Sequence, residues 1–273
     1  KRLNLMKILI LGDLMGISGR KAIDKSLTDI IRKNNIDFTI INGENAADNG
    51  KGITNLIADE LFSKGVDVIT SGNHIWDKKE TIEYINNEKR LLRPANLPDG
   101  SPGNGYGIYN SKNKKFRVGV INLMGNVFMR KSEDVFEIAK KIKNKIKLKK
   151  DADFIVIDFH GEITSEKMAI GHFFDGASTA VVGTHTHVPT ADTRILEKGT
   201  GYQTDIGMCG DYNSVIGMNK DNSLKKFLKD KSATEHFPSK GEGTLSGIII
   251  EADNNTGLAK KITRLIDGGS LIK

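Results

Sequence analysis

The chain has 273 residues, 38% of them hydrophobic and 27% charged, which is enough apolar material to close a full core without disulfide or metal staples. Its one cysteine, Cys209, excludes an internal disulfide framework and fits a reducing, cytoplasmic setting. No apolar run approaches the roughly 20 residues that a membrane-spanning helix needs, so neither a membrane partner nor a secretory signal is expected.

Residues 1–5 stand before MKILILGD, which reads as a natural start. They are expected to be a cloning remnant, with a single domain running from 6 to 273. Six short apolar runs follow: KILILGD (7–13), FTIINGEN (38–45), VDVITSGNH (66–74), RVGVINLMG (117–125), DFIVIDFHGE (153–162) and TAVVGTHTH (179–187). Each is strand-length, rich in Ile and Val and nearly continuous in its apolar part, the mark of strands buried on both faces. Ile23, Leu27, Ile30 and Ile31 recur at helical spacing after the first run, and Leu56, Ile57 and Leu61 after the second. Residues 81–90 read as a helix after the third. This alternation predicts an α/β fold with helices on both faces of the sheet. Residues 93–107, RPANLPDGSPGNGYG, read as a long loop of the kind that often carries function.

Much of the net charge of +7 lies in AKKIKNKIKLKK (139–150). There Val135, Ile138, Ala139, Ile142 and Ile146 keep helical spacing, so the lysines fall on a solvated face. The alternative is a surface for polyanions such as RNA, but aromatics do not interleave with these lysines. Near the C-terminus, TLSGIIIEAD (244–253) and LAKKITRLI (258–266) flank NNTG, the pattern of a β-hairpin.

Five of the apolar runs end in residues with ligand chemistry: Gly12-Asp13, Gly43-Glu44-Asn45, Gly72-Asn73-His74, His160, and His185 with His187. In open α/β sheets, sites form beyond the carboxyl ends of strands. One such ending means little, whereas five point to one site. The set mixes oxygen and nitrogen donors without thiolate, which suits Mn, Fe or Zn at a catalytic centre. It exceeds what one open metal site needs, and two metals sharing a carboxylate would use it. In an extended chain His185 and His187 would point to the same side. His172 reads as a packing histidine, His236 has no assigned role, and Cys209 reads as a small buried residue because no base is paired with it.

GNH and GTHTH resemble motifs of the calcineurin-like metallophosphoesterases. Together with GDLMG, NGENAA, SGNHIWD, RPAN, DFHGEITSEKMA, GTHTHVPTAD and YQTDIGMCG, they resemble the YmdB-like branch from about residue 6 to 217, and more faintly onward. The resemblance implies an αββα sandwich of two mixed β-sheets flanked by helices. It also implies a bacterial cytoplasmic enzyme with 2′,3′-cyclic nucleotide phosphodiesterase activity and two transition-metal ions, Fe or Mn ahead of Zn. In that pattern Asp13 and His187 bind one metal with Asn45 close by, and Asn73, His160 and His185 bind the other. Glu44 bridges the pair and His74 is catalytic.

Chemically, two metals would give a bridging hydroxide and neutralise the phosphate charge, while His74 would assist a poor ribose leaving group. Met15 stands where the broad superfamily has a histidine, and Glu44 where it has aspartate; the narrower branch shares both changes. Gly161, Asp48-Asn49 and the absence of arginine near Ala177 depart from the branch and bear on loop shape and substrate fit. The competing functions are a phosphomonoesterase or nucleotidase, and a regulatory nucleotide- or RNA-binding protein with low turnover. Metal identity, base preference and self-association into a homo-oligomer stay open at this point.

Overall fold

The computed structural model describes residues 5–272, so all but Leu5 of the expected cloning remnant lies outside the described residues. In chain order the elements are β1 (Met6–Leu14), α1 (Gly16–Asn34), β2 (Phe38–Asn42), α2 (Asn55–Ser63), β3 (Val68–Thr70) and α3 (Lys79–Asn87). Then come β4 (Tyr106–Asn110), β5 (Arg117–Met124), α4 (Val135–Lys145), β6 (Phe154–His160), α5 (Thr164–Phe173) and β7 (Ala180–Thr184). The last part holds β8 (Arg194–Ile195), β9 (Gly201–Gln203), β10 (Met208–Cys209), α6 (Lys220–Phe227), β11 (Leu245–Ala252) and β12 (Ala259–Asp267).

The strands form two mixed sheets. One has the order β12-β11-β1-β2-β3 with β10 also paired to β1; the other has the order β4-β5-β6-β7-β9-β8. Alternation along each strand sorts its side chains between two cores. Ile8, Ile10, Phe38, Ile40 and Val68 face Val118, Val120, Phe154, Val156 and Val182 across the space between the sheets. Leu9, Leu11 and Ile41 instead pack outward with Ile23, Leu27, Ile57 and Leu61 of α1 and α2. Ile121, Ile155 and Ile157 pack outward on the second sheet with Ala139 and Ile142 of α4 and Ile170 of α5.

The layers are therefore αββα, as the family resemblance implied. The simpler reading, one sheet with helices on both faces, is corrected: each sheet carries helices on one face only and the second sheet covers its other face. A strand buried on both faces looks the same in sequence whether a helix or a sheet covers it. The hairpin forms as expected, with Gly257 at φ 73° and the Asp253 carboxylate accepting from Asn255 N at 2.7 Å. The loop expected over 93–107 gives way to the half-exposed edge strand β4 at its end, and β8, β9 and β10 were not anticipated. Strands of two or three residues are too short to show a period.

The basic helix α4 ends at Lys145, with Asp134 capping its start through Glu137 N at 2.9 Å. Lys143 and Lys145 lie over the rings of Phe173 and Tyr106, 4.5 and 5.4 Å from the centroids, so part of the basic face is already engaged within the chain. No helix among the described residues is long and apolar enough to cross a membrane.

Candidate active site

Strand register brings the site together. Asp13 of β1 stands beside Asn42 of β2, and Asn42 beside Thr70 of β3. In the second sheet Met124, His160 and Thr184 align across β5, β6 and β7. These two rows meet at the carboxyl ends. Asp158 joins them, accepting from Asn42 Nδ2 at 2.9 Å, from Thr184 Oγ1 at 2.7 Å and from Thr70 Oγ1.

Beyond that joint all eight predicted site residues gather. Glu44 Oε1, Asn73 Oδ1 and His185 Nδ1 stand 3.0, 3.1 and 3.1 Å from His160 Nε2. The hydrogen-bond chemistry of these atoms is incompatible with simple pairing. Thr184 Oγ1 spends its proton on Asp158, so it accepts from His160 Nδ1 at 2.9 Å, which leaves Nε2 with its lone pair. His185 Nε2 lies 3.0 Å from the Glu162 carboxylate and donates to it, which leaves Nδ1 likewise. Four lone-pair atoms thus crowd one point, an arrangement that a positive charge relieves.

In the metal-free chain that charge is a proton. Burial alone would lower the His160 pKa, but the Glu44 carboxylate holds it up at about 9. Burial would raise Glu44, yet His160 brings it down to about 2. Burial and the neighbouring His160 charge push His185 down to about 3, so one proton serves the pair. A Cβ at Gly72 would stand 2.3 Å from both His160 Nε2 and Glu44 Oε2, so the cradle requires glycine.

A second, smaller group repeats the pattern. His187 Nδ1 donates to the Ile216 carbonyl at 2.8 Å, leaving the Nε2 lone pair 3.2 Å from Asn45 Oδ1. The Asn45 amide nitrogen is committed to the Gly50 carbonyl at 2.9 Å, so its oxygen must face the histidine. Two ligand atoms on one metal ion, each about 2.1 Å from it, stand roughly 3.0–3.4 Å apart. Asp13 lies between the groups. Its Oδ2 accepts from His185 N at 2.9 Å, but its Oδ1, fully buried, has no hydrogen-bond partner among the described residues and lies 3.6 Å from His160 Nδ1. The donor set, the orphaned carboxylate oxygen and the glycine cradle all fit metal ions. Glu44, Asn73, His160 and His185 could hold one, and Asp13, Asn45 and His187 could hold another beside it.

The GTHTH turn is not the extended segment expected from sequence. β7 stops at Thr184, and His185 and His187 have φ of 101° and 66°, in the region that side chains avoid. The turn, not strand alternation, sends the two rings to different groups. Its strain is held by Thr186 between them, whose N and Oγ1 donate to Asp205 Oδ2 at 3.1 and 2.7 Å. Asp205 in turn pairs with the buried Lys167 at 2.7 Å. Lys167 and Asp205 belong to the motifs DFHGEITSEKMA and YQTDIGMCG, yet residue chemistry alone gave them no role. A buried Lys–Asp pair is visible only once α5 and the segment after β9 are brought together.

His74 donates Nδ1–H to Asp77 at 2.7 Å, and its main-chain N donates to Glu44 Oε2 at 3.1 Å. The sequence marks Asp77 only through His-x-x-Asp in a turn. Met15 is buried and packs against Gly50, Gly210 and Gly217. Asp48 pairs with Arg20 at the surface, and a Cβ at Gly161 would meet the Phe159 ring at 2.7 Å. Cys209 is buried and pushed up to about 12 by desolvation, which excludes a thiolate nucleophile. His172 is exposed in the last turn of α5, not packed as expected; an apolar neighbourhood in sequence hid a solvent-facing helical position. His236 is exposed as well.

Comparison with known proteins places this geometry. The model of the YmdB-like protein family matches residues 9–265. A 2′,3′-cyclic-nucleotide 2′-phosphodiesterase of Bacillus subtilis (strain 168) is 44% identical over 261 residues, covering 96% of this chain and 97% of its own. A Mycoplasma pneumoniae crystal structure described as a novel phosphatase superposes with a TM-score of 0.88 at 36% identity, over 98% of this chain and 95% of that one. A Thermus thermophilus crystal structure, described as a hypothetical protein, gives a TM-score of 0.88 at 35% identity over 97% of this chain and 100% of that one. The chain belongs to the YmdB-like protein family.

Proposed function

We propose that this chain is a metal-dependent phosphodiesterase that opens 2′,3′-cyclic nucleotides at the 2′ position. The observation that carries this reading is the convergence of Glu44, Asn73 and His185 on the lone pair of His160 Nε2, beside the Asn45–His187 pair and the orphaned Asp13 oxygen. The Bacillus subtilis relative, matched over nearly its whole length, carries this activity in its name. Iron or manganese suits the donors, with zinc the alternative, since imidazole and carboxylate serve all three.

Bound metal ions supply Lewis acidity, lowering the pKa of water at the site and offsetting the charge of the phosphodiester. The chain's own residues do the rest. Asp158 and Thr184 fix the His160 ring, Glu162 fixes His185 and the Ile216 carbonyl fixes His187, so that each presents one chosen nitrogen. Water adds to phosphorus and the P–O2′ bond breaks. The departing O2′ is a poor leaving group and needs a proton. His74 lines the cleft beside Asn73 and His185. With Nδ1–H committed to Asp77, Nε2 is the nitrogen left to take up the proton that the attacking water releases and to pass it to O2′, the Asp77 carboxylate facing the imidazolium in between. The product is the 3′-monophosphate.

The test is a substrate panel on the metal-loaded protein: 2′,3′-cyclic AMP, 3′-AMP and a bis-aryl phosphate diester. The cyclic nucleotide should be opened with the highest kcat/KM, and 3′-AMP should accumulate. Faster hydrolysis of the monoester would move the reading to a phosphomonoesterase, and turnover of none would favour a binding role.

A further inference from the structure

The cleft at the site measures about 170 Å³ and is lined by Asn73, His74, Asp77, Phe128, Met129, Arg130 and His185. Sites that enclose a whole small ligand run to roughly 300–1,000 Å³. This cleft takes a phosphodiester and part of a sugar; any base attached to the sugar must lie on its rim. The rim residue that stands out is Phe128. It is 86% exposed, and its φ of 60° lies in the left-handed region. A bulky residue is strained there, and such strain gathers at functional sites.

The surrounding segment explains how the strain is held. The Glu166 carboxylate accepts from Asn126 N and Val127 N at 3.0 and 3.3 Å. Asn126 Nδ2 donates across the loop to Ser132 Oγ and Glu133 O at 3.1 and 2.9 Å. Asn96 Nδ2 bonds the same two atoms at 3.2 and 3.1 Å. Both feet are pinned, while the side chains of residues 128–131 make no hydrogen bond among the described residues. Met129 also lines the cleft but is half-buried and packs against the core cluster that includes residues of α1, α2 and α3, whereas its neighbour Phe128 stands exposed at the cleft mouth. Arg130, two residues on, is exposed, lines the same cleft and has no hydrogen bond or ion pair among the described residues.

We propose that Phe128 is a stacking platform for the nucleobase and Arg130 the rim cation that receives the substrate's phosphate, so that this loop selects nucleotides over base-free phosphodiesters. This deepens the phosphodiesterase reading and rests on it. Every base presents a π-face, so a single ring accepts purines and pyrimidines alike. The guanidinium fork, by contrast, pairs with phosphate oxygens whatever base the sugar carries.

The test uses the metal-loaded full chain with 2′,3′-cyclic AMP, 2′,3′-cyclic CMP and the base-free methyl riboside 2,3-cyclic phosphate. Phe128→Ala and Phe128→Leu should raise KM for both nucleotides about 5- to 50-fold with kcat nearly constant, the effect of losing one stacking ring. The base-free KM should move less than twofold, and Phe128→Tyr should restore nucleotide KM. Arg130→Gln should raise KM for all three substrates together. An unchanged nucleotide KM in Phe128→Ala, or an equal rise for the base-free substrate, overturns the platform. So does a change in sedimentation without a change in KM, which assigns the ring to contact between copies. If the wild type hydrolyses no cyclic nucleotide, calorimetry with 3′-AMP and inorganic phosphate separates the two ideas. Weaker 3′-AMP binding alone in Phe128→Ala upholds the platform while the reaction assignment falls; equal binding by both proteins overturns it.

Discussion

Asp13 and Asp158 are both almost fully buried, near the carboxyl ends of β1 and β6 in facing sheets, and burial raises the pKa of both carboxyl groups. Their partners differ. Asp158 receives three side-chain donors and joins the two sheets. Asp13 receives one main-chain donor, keeps a bare oxygen and is pushed up to about 6. Buried polar groups are almost always satisfied, so the exception is the informative one. In this pair the complete set of partners marks a strut, and the bare oxygen, the one carboxylate oxygen among the buried partnerless atoms of the described residues, marks a place for a ligand. The same contrast separates Asp205, bonded to Lys167 and Thr186, from Glu44, which faces lone pairs.

The strongest way to break this comparison is Glu44→Gln. Removing the one charge shared by the crowded atoms should lower kcat at least about 10³-fold, beyond the usual cost of one electrostatic donor, with circular dichroism unchanged; full activity would make Glu44 a strut. His74→Ala should lower kcat by about 10²-fold or more while metal content stays at the wild-type level. Normal turnover at normal metal content would remove His74 from the mechanism.

Asp13→Asn and Asp158→Asn set the two classes side by side. Asp158→Asn leaves Thr70, Asn42 or Thr184 short of an acceptor and should cost about 1–3 kcal/mol in a denaturant titration. Asp13→Asn should instead stabilise the metal-free protein. The folded pKa, about 6, exceeds the ordinary 3.8, so the folded state binds more protons between those values. Stability due to Asp13 therefore falls as pH rises through that window and stays low above it. Asparagine removes that loss but should weaken metal binding. Equal losses of stability in the two variants would erase the distinction.

The smallest effect is in pH. His160 at about 9 must give up a proton to a metal, so metal affinity should rise up to about tenfold per pH unit between roughly 7 and 9. Calorimetry in buffers of different ionisation enthalpy should show proton release; none would mean His160 is not a ligand.

Most of the site could be read from the chain because its residues sit directly after apolar strands: Asp13, Glu44, Asn73, His160 and His185 each follow or end such a run. Strand ends are legible because hydrophobicity stops there. The second layer was not legible. Thr184, Asp158, Asp205 and Lys167 lie within strands, a helix and a loop where their partners come from far along the chain, as in Lys167–Asp205 at a separation of 38. Asp77 and Phe128 were passed over because turn residues show no period. The existence of the second sheet was likewise carried by the family resemblance, since β5, β6 and β7 look like the strands of the first sheet.

Two adjacent metal positions follow from the crowded lone-pair atoms and the bare Asp13 oxygen. Elemental analysis of wild type, His160→Ala and His187→Ala, purified without added metal and then saturated with Mn²⁺, tests this directly. Wild type should hold two ions per chain, and each variant should lose at least one. Wild type saturating at one ion or none, or His187→Ala retaining two, would contradict it.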